Sequence, residues 1–104
     1  MEEIKMKKLD FYTRKMENNK PCAILVSGYT DGVYNYYRPS GDGFWCAVHI
    51  FSGLAVPTSF KSTRRDAATA AHAYTDIINK NITAVNNQSL IFQNMIQEVK
   101  QNAR

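Results

Sequence analysis

The sequence predicts an α+β domain: an antiparallel β-meander of three to four strands with a packed Ala-rich helix, plus N- and C-terminal helices. Three observations predict it. Residues 22–60 alternate strand-like runs with turns built from Gly, Asp and Pro. Ala67, Ala70, Ala71, Tyr74, Ile77 and Ile78 then switch to the 3.6-residue period of a helix. Finally, 104 residues make about one domain, long enough to bury a core without disulfide or metal staples.

Taken in order, Ile4, Leu9, Tyr12 and Met16 stand near helical spacing among good helix formers, so residues 1–20 are expected to hold a helix. Asn18-Asn19-Lys20-Pro21 stops it, because a proline pushes its predecessor out of helical geometry. Cys22–Tyr29 is the first strand and Asp31-Gly32 its turn. Val33–Arg38 is the second, ended by Pro39-Ser40-Gly41-Asp42-Gly43. Phe44–Phe51 is the third, Ser52-Gly53 a two-residue turn, and Leu54–Phe60 the fourth. Pro57 lacks an N–H for the ladder, which puts that strand at a sheet edge or bends it there. Thr63 caps the alanine-rich helix of residues 63–79. Asn79–Gln88 reads as a connector, and Ser89 as the cap of a helix over 89–102 whose stripe is Phe92, Met95, Ile96 and Val99.

The third strand is apolar on both faces: Phe44, Cys46, Val48 and Ile50 on one, Trp45, Ala47, His49 and Phe51 on the other. A half-solvated sheet would alternate apolar with polar residues. The alanine-rich helix can cover one face; the terminal helices or a second subunit, in a two-fold homodimer, must cover the other.

Composition narrows the function. With 44% hydrophobic and 21% charged residues the chain is a folded domain rather than a disordered one. Its longest apolar runs, Ala23–Val26 and Phe44–Val48, fall far short of a membrane span, and Met1–Lys20 has no apolar signal-like core. A soluble cytoplasmic protein is therefore expected. Cys22 and Cys46 lie in apolar runs and read as reduced, structural thiols. With two His and no CxxC pair, nothing has metal-ligand spacing, and no cofactor is implied.

Catalysis is not expected. His49 sits among Trp45, Ala47 and Phe51 and reads as a satisfied core histidine. His72, one turn before Asp76, reads as half of a solvated helix pair. The adjacent acids are Glu2 and Glu3, at the start of the sequence, and no nucleophile elbow or oxyanion loop accompanies either histidine. Ser40-Gly41-Asp42-Gly43 has no Walker lysine and no following helix, so it is a plain hairpin connection.

The net charge of +4 is spread as +2 over residues 1–20, −1 over 21–60, +2 over 61–80 and +1 over the tail. Phe60-Lys61-Ser62-Thr63-Arg64-Arg65 stands out, because it places three cations at a helix N-terminus, where free N–H groups and the helix dipole favour anions. Tyr36 and Arg38 share a strand face with Tyr34, and an exposed ring beside an arginine can stack on an unpaired base. Lys61, Arg64, Arg65, Arg38 and Tyr36 are thus the expected nucleic-acid-binding residues.

Residues 45–78 resemble the AP2-like arm-binding domain of phage-type tyrosine integrases. The resemblance rests on Trp45 in a strand, Gly53 at a hairpin turn, and Ser59-Phe60-Lys61-Ser62-Thr63-Arg64-Arg65-Asp66-Ala67 leading into a helix. It implies a three-stranded antiparallel sheet with one helix packed on it, and DNA as the partner. That family reads the groove through polar and basic strand residues, whereas Phe44–Val56 is nearly all apolar with His49 its one ionisable group.

Two functions are carried forward. The first is a small non-enzymatic accessory protein of phage or mobile-element type that binds nucleic acid through phosphate contacts. The alternative is a protein-binding inhibitor of a host defence or nucleoprotein machine, anti-CRISPR-like in kind. Its basis is small size and surplus apolar sheet surface.

Overall fold

The computed structural model describes residues 5–41 and 43–102; Glu2, Glu3, Ile4 and Asp42 lie outside them. The fold is α+β, with four antiparallel strands in the order β1-β2-β3-β4. They are β1 (Lys7–Glu17), β2 (Lys20–Thr30), β3 (Tyr34–Tyr37) and β4 (Cys46–His49), followed by helices α1 (Arg64–Ala73), α2 (Thr75–Lys80) and α3 (Ile82–Asn102).

The expected N-terminal helix is a strand. β1 pairs with β2 from Lys7↔Thr30 to Glu17↔Lys20. Asn18 and Asn19, at φ 51° and 63°, form the two-residue turn between them. Two consecutive left-handed residues suit a hairpin, because their twist matches that of the flanking strands. The helical spacing of Leu9, Tyr12 and Met16 is overruled by a period of two, with Phe11 and Thr13 buried on one face.

This hairpin answers how β4 is covered. Ala47 packs against Tyr34, Tyr36, Val56 and the buried Ala67, Ala68 and Ala71 of α1, as expected. Cys46 and Val48, on the opposite face, pack against Phe11 with Leu9, Val26 and Tyr37. The β1–β2 hairpin curls over that face and covers Cys46 and Val48 in place of a terminal helix. Gly28 permits the curl: a Cβ there would overlap the Tyr36 carbonyl oxygen. α3 lies on the hairpin's other side, where Phe92 and Met95 bury against Ala23 with Tyr12, Ile96 and Val99 alongside. The expected stripe of the last helix is thus the one used.

The strands expected over Val33–Arg38 and Phe44–Phe51 are shortened to β3 and β4, and three segments after β4 differ from expectation. Leu54–Phe60 is not a strand; it pairs with β4 at the isolated bridge Val48↔Ala55, and a second bridge joins the residues just outside the two segments, Trp45↔Lys61. Thr58 at φ 67° turns the chain away. The Ser59 hydroxyl takes over part of the pairing, accepting from Ala47 N at 3.1 Å and donating to Val56 O at 2.6 Å. The helix expected over 63–79 is interrupted at Tyr74, between α1 and α2. The expected connector is mostly helix, because α3 starts at Ile82 and Ser89 lies inside it rather than capping it. Asparagine lowers helix propensity only modestly, so Asn86 and Asn87 do not stop the helix. Arg14 of β1 holds this turn in place, donating from Nη2 to Gln88 O at 2.7 Å and from Nε to Ser52 O at 2.7 Å.

Candidate nucleic-acid interface

Thr63 starts α1 as expected: it is extended, and its hydroxyl oxygen accepts from the Asp66 N–H at 3.1 Å. Two residues earlier, Lys61 is fixed opposite Trp45 by reciprocal backbone bonds of 2.7 and 3.1 Å. One residue after the cap, the Arg64 guanidinium lies 3.8 Å from the centre of the Tyr29 ring and 5.6 Å from that of Trp45. Arg38, just past the end of β3, places its own guanidinium 4.8 Å from the Trp45 ring centre. Tyr29 and Trp45 are 5.9 Å apart and tilted by 58°.

The fold therefore gathers Arg38, Lys61 and Arg64 around one aromatic pair, from the end of β3, the approach to α1 and its first turn. A guanidinium over a ring gains cation–π attraction while the N–H groups in its own plane stay available to an oxyanion. Among the described residues the one ion pair is His72–Asp31, and no carboxylate bridges Arg38, Lys61, Arg64 or Arg65. Arg65, next to Arg64 in the chain, is exposed, with its carbonyl accepting from the Thr69 hydroxyl at 3.1 Å.

Tyr36 is not part of the site. It is 0% exposed and its hydroxyl donates to Asp31 Oδ2 at 2.5 Å, so no base can reach its ring. Burial and the Asp31 carboxylate both push its pKa up. Tyr34 is equally buried, its hydroxyl 2.7 Å from Thr75 Oγ1. Both rings face α1, and the alternation that placed them beside Arg38 did not show that a helix covers that stretch of the face. Tyr29 was missed for the converse reason: only its register opposite Tyr36 brings it toward Trp45.

Both histidines have hydrogen-bond partners within the fold. His49 Nδ1 lies 2.9 Å from Ser52 Oγ in the β4 turn, and burial lowers its pKa. His72 does not pair with Asp76; its Nε2 lies 2.7 Å from Asp31 Oδ2, tying α1 to the β2–β3 turn. Cys22 and Cys46 are both free thiols, and burial pushes Cys46 up. Among the described residues no group of three or more His, Cys, Asp or Glu could hold a metal, and no helix is long and apolar enough to cross a membrane.

An apolar groove of about 320 Å³ runs between the β4 turn and α2, lined by Val56, Pro57, Ile77, Ile78 and Val85 with His49 at one side. Compared with protein-family models, curated proteins and solved structures, the chain matches none.

Proposed function

We propose that this chain is a small, non-enzymatic, cytoplasmic accessory protein of phage or mobile-element type that binds nucleic acid through phosphate contacts. Arg38, Lys61, Arg64 and Arg65 make those contacts. The observation that carries this reading is the pair of guanidinium groups held against Tyr29 and Trp45 at distances of 3.8 to 5.6 Å, without a carboxylate partner among the described residues. Cations fixed in this way lose less side-chain freedom on meeting a phosphate than free surface lysines do. The lead-in from Ser59 to Ala67, similar to that of the arm-binding domains, ends at these side chains.

Binding of this kind is weak and largely blind to sequence. Phosphate contacts position a protein without reading bases, and the strand beside the cluster, Cys46–His49, offers few groups for base edges. The second reading, a protein-binding inhibitor acting on a host protein or nucleoprotein complex, is favoured by the apolar groove, by the exposed Leu54 that lines it and by the exposed Phe51 against its His49.

A salt titration separates the two. Log affinity for generic DNA or RNA should fall linearly with log salt, and replacing Arg64 and Arg65 together by Ala should reduce that slope by about two at most, with the fold intact. Wild-type protein that binds neither polymer at low salt, or a double variant that binds as wild type does, refutes the phosphate reading and leaves protein binding in first place.

A further inference from the structure

We infer that the nucleic acid taken by this site is single-stranded, and that two of its bases stack on Phe44 and Phe60. The inference rests on the phosphate-binding reading above and adds the class of strand. Phe44 and Phe60 are 62% and 56% exposed, although each adjoins a well-fixed residue: Phe44 precedes Trp45, and Phe60 precedes Lys61. Trp45 and Lys61 face one another in an antiparallel bridge. Successive side chains of paired extended chain leave on opposite faces, so the two phenyls share the face away from Trp45 and Lys61. There they are diagonal neighbours, a relation that sets side chains roughly 7–8 Å apart, about two of the 3.4 Å steps between successive bases. Cys46, on the same face, takes the core position and leaves the phenyls outside.

Charge decides what these rings meet. Arg38, Lys61 and Arg64 gather around Trp45 at the same edge and the exposed Arg65 follows Arg64 in the chain, with no bridging carboxylate among the described residues. A polyanion that also carries flat aromatic faces satisfies both halves of the edge, whereas an apolar protein surface would match the phenyls and leave the cations unanswered. Bases in a duplex have their faces closed by their neighbours; only an unpaired strand offers them to a side chain. Trp45 is not the platform, because the Arg38 and Arg64 guanidinium groups already lie over its ring. The strand therefore wraps the edge, phosphates toward the arginines and bases toward the phenyls.

The test is fluorescence anisotropy with labelled oligothymidylate, oligouridylate and a DNA duplex of equal charge, each over a salt series. Both single strands should bind at least about tenfold more tightly than the duplex. Phe44→Ala with Phe60→Ala should reduce them to the duplex level, leave the melting temperature unchanged and leave the salt slope unchanged, since phenyls neutralise no phosphate. Arg64→Ala with Arg65→Ala should lower the slope and retain the preference for single strands. A duplex that binds as tightly as the single strands, or a phenylalanine double variant that binds them as wild type does, overturns the strand assignment and leaves the phosphate reading standing. Wild-type protein that binds none of the three probes overturns both, and the phenyl pair is then a protein contact.

Discussion

The Arg64 guanidinium lies 3.8 Å from the centre of the Tyr29 ring, which joins the first turn of α1 to the end of β2. Tyr29 in turn stands opposite Tyr36 in the sheet, and Tyr36 is buried among the helix alanines. The cation at the candidate site is thus positioned by the same packing that holds the helix on the sheet. Changes in that packing should move the site as well as the stability.

Ala71 tests the packing directly. It is fully buried in the cluster that α1 forms with Tyr34, Tyr36 and Ala47. Ala71→Glu puts an unpaired charge there and should cost about 3–5 kcal/mol. Denaturant unfolding checks this, and an unchanged midpoint would show that the contact does not hold the helix.

Gly53 closes the turn after β4 at φ 68°, and a Cβ there would overlap the Phe92 ring of α3. Gly53→Ala should therefore cost about 2–4 kcal/mol, partly from left-handed backbone and partly from displacing the ring. Phe92→Leu relieves the overlap, so the same glycine change should cost less in that background. Equal costs in both backgrounds would contradict the contact.

Asp31 makes stability depend on acid. Burial pushes its pKa up, but bonds from the Tyr34 N–H, the Tyr36 hydroxyl, His72 and the Val33 N–H outweigh burial and hold it below the ordinary carboxyl value. A carboxylate lowered on folding contributes stability that is fully present above its unfolded pKa of about 4 and is lost as pH falls through the folded value. Asp31→Asn should be less stable than wild type at neutral pH, and the gap should narrow as pH falls below about 4. Thermal melts over that range check it; a gap that stays constant in acid would contradict this account.

The fold was legible where local chemistry and tertiary packing agree. The Asp31-Gly32 turn, the Thr63 cap, the alanine face of α1 and the stripe of Phe92, Met95, Ile96 and Val99 all lie where the residues place them. Lys7–Glu17 was not legible, because its lysines and methionine favour a helix and its strand character comes from pairing with β2. Asn18-Asn19 carried the missing signal: two residues tolerant of positive φ, standing where a hairpin turn belongs. The double-sided burial of β4 was legible in Cys46, Ala47 and Val48, but its cover was not, since nothing local announces that a hairpin will curl back over the sheet. At the candidate site Lys61 and Arg64 follow from the helix start, and Arg38 from its strand face. Tyr36 was misplaced and Tyr29 missed, because exposure depends on where the helix lies across the sheet.

Contact between nucleic acid and the guanidinium cluster around Trp45 can be read at Trp45 itself. It is the sole tryptophan, so its indole N–H gives one resolvable signal in a proton–nitrogen correlation spectrum. Titrating a short single-stranded oligonucleotide into the protein should shift that signal together with the amides of Lys61, Arg64 and Arg65, and added salt should reverse the shifts. An indole signal that stays put while the oligonucleotide saturates, or shifts confined to residues around the groove at Val56 and Ile77, would contradict it.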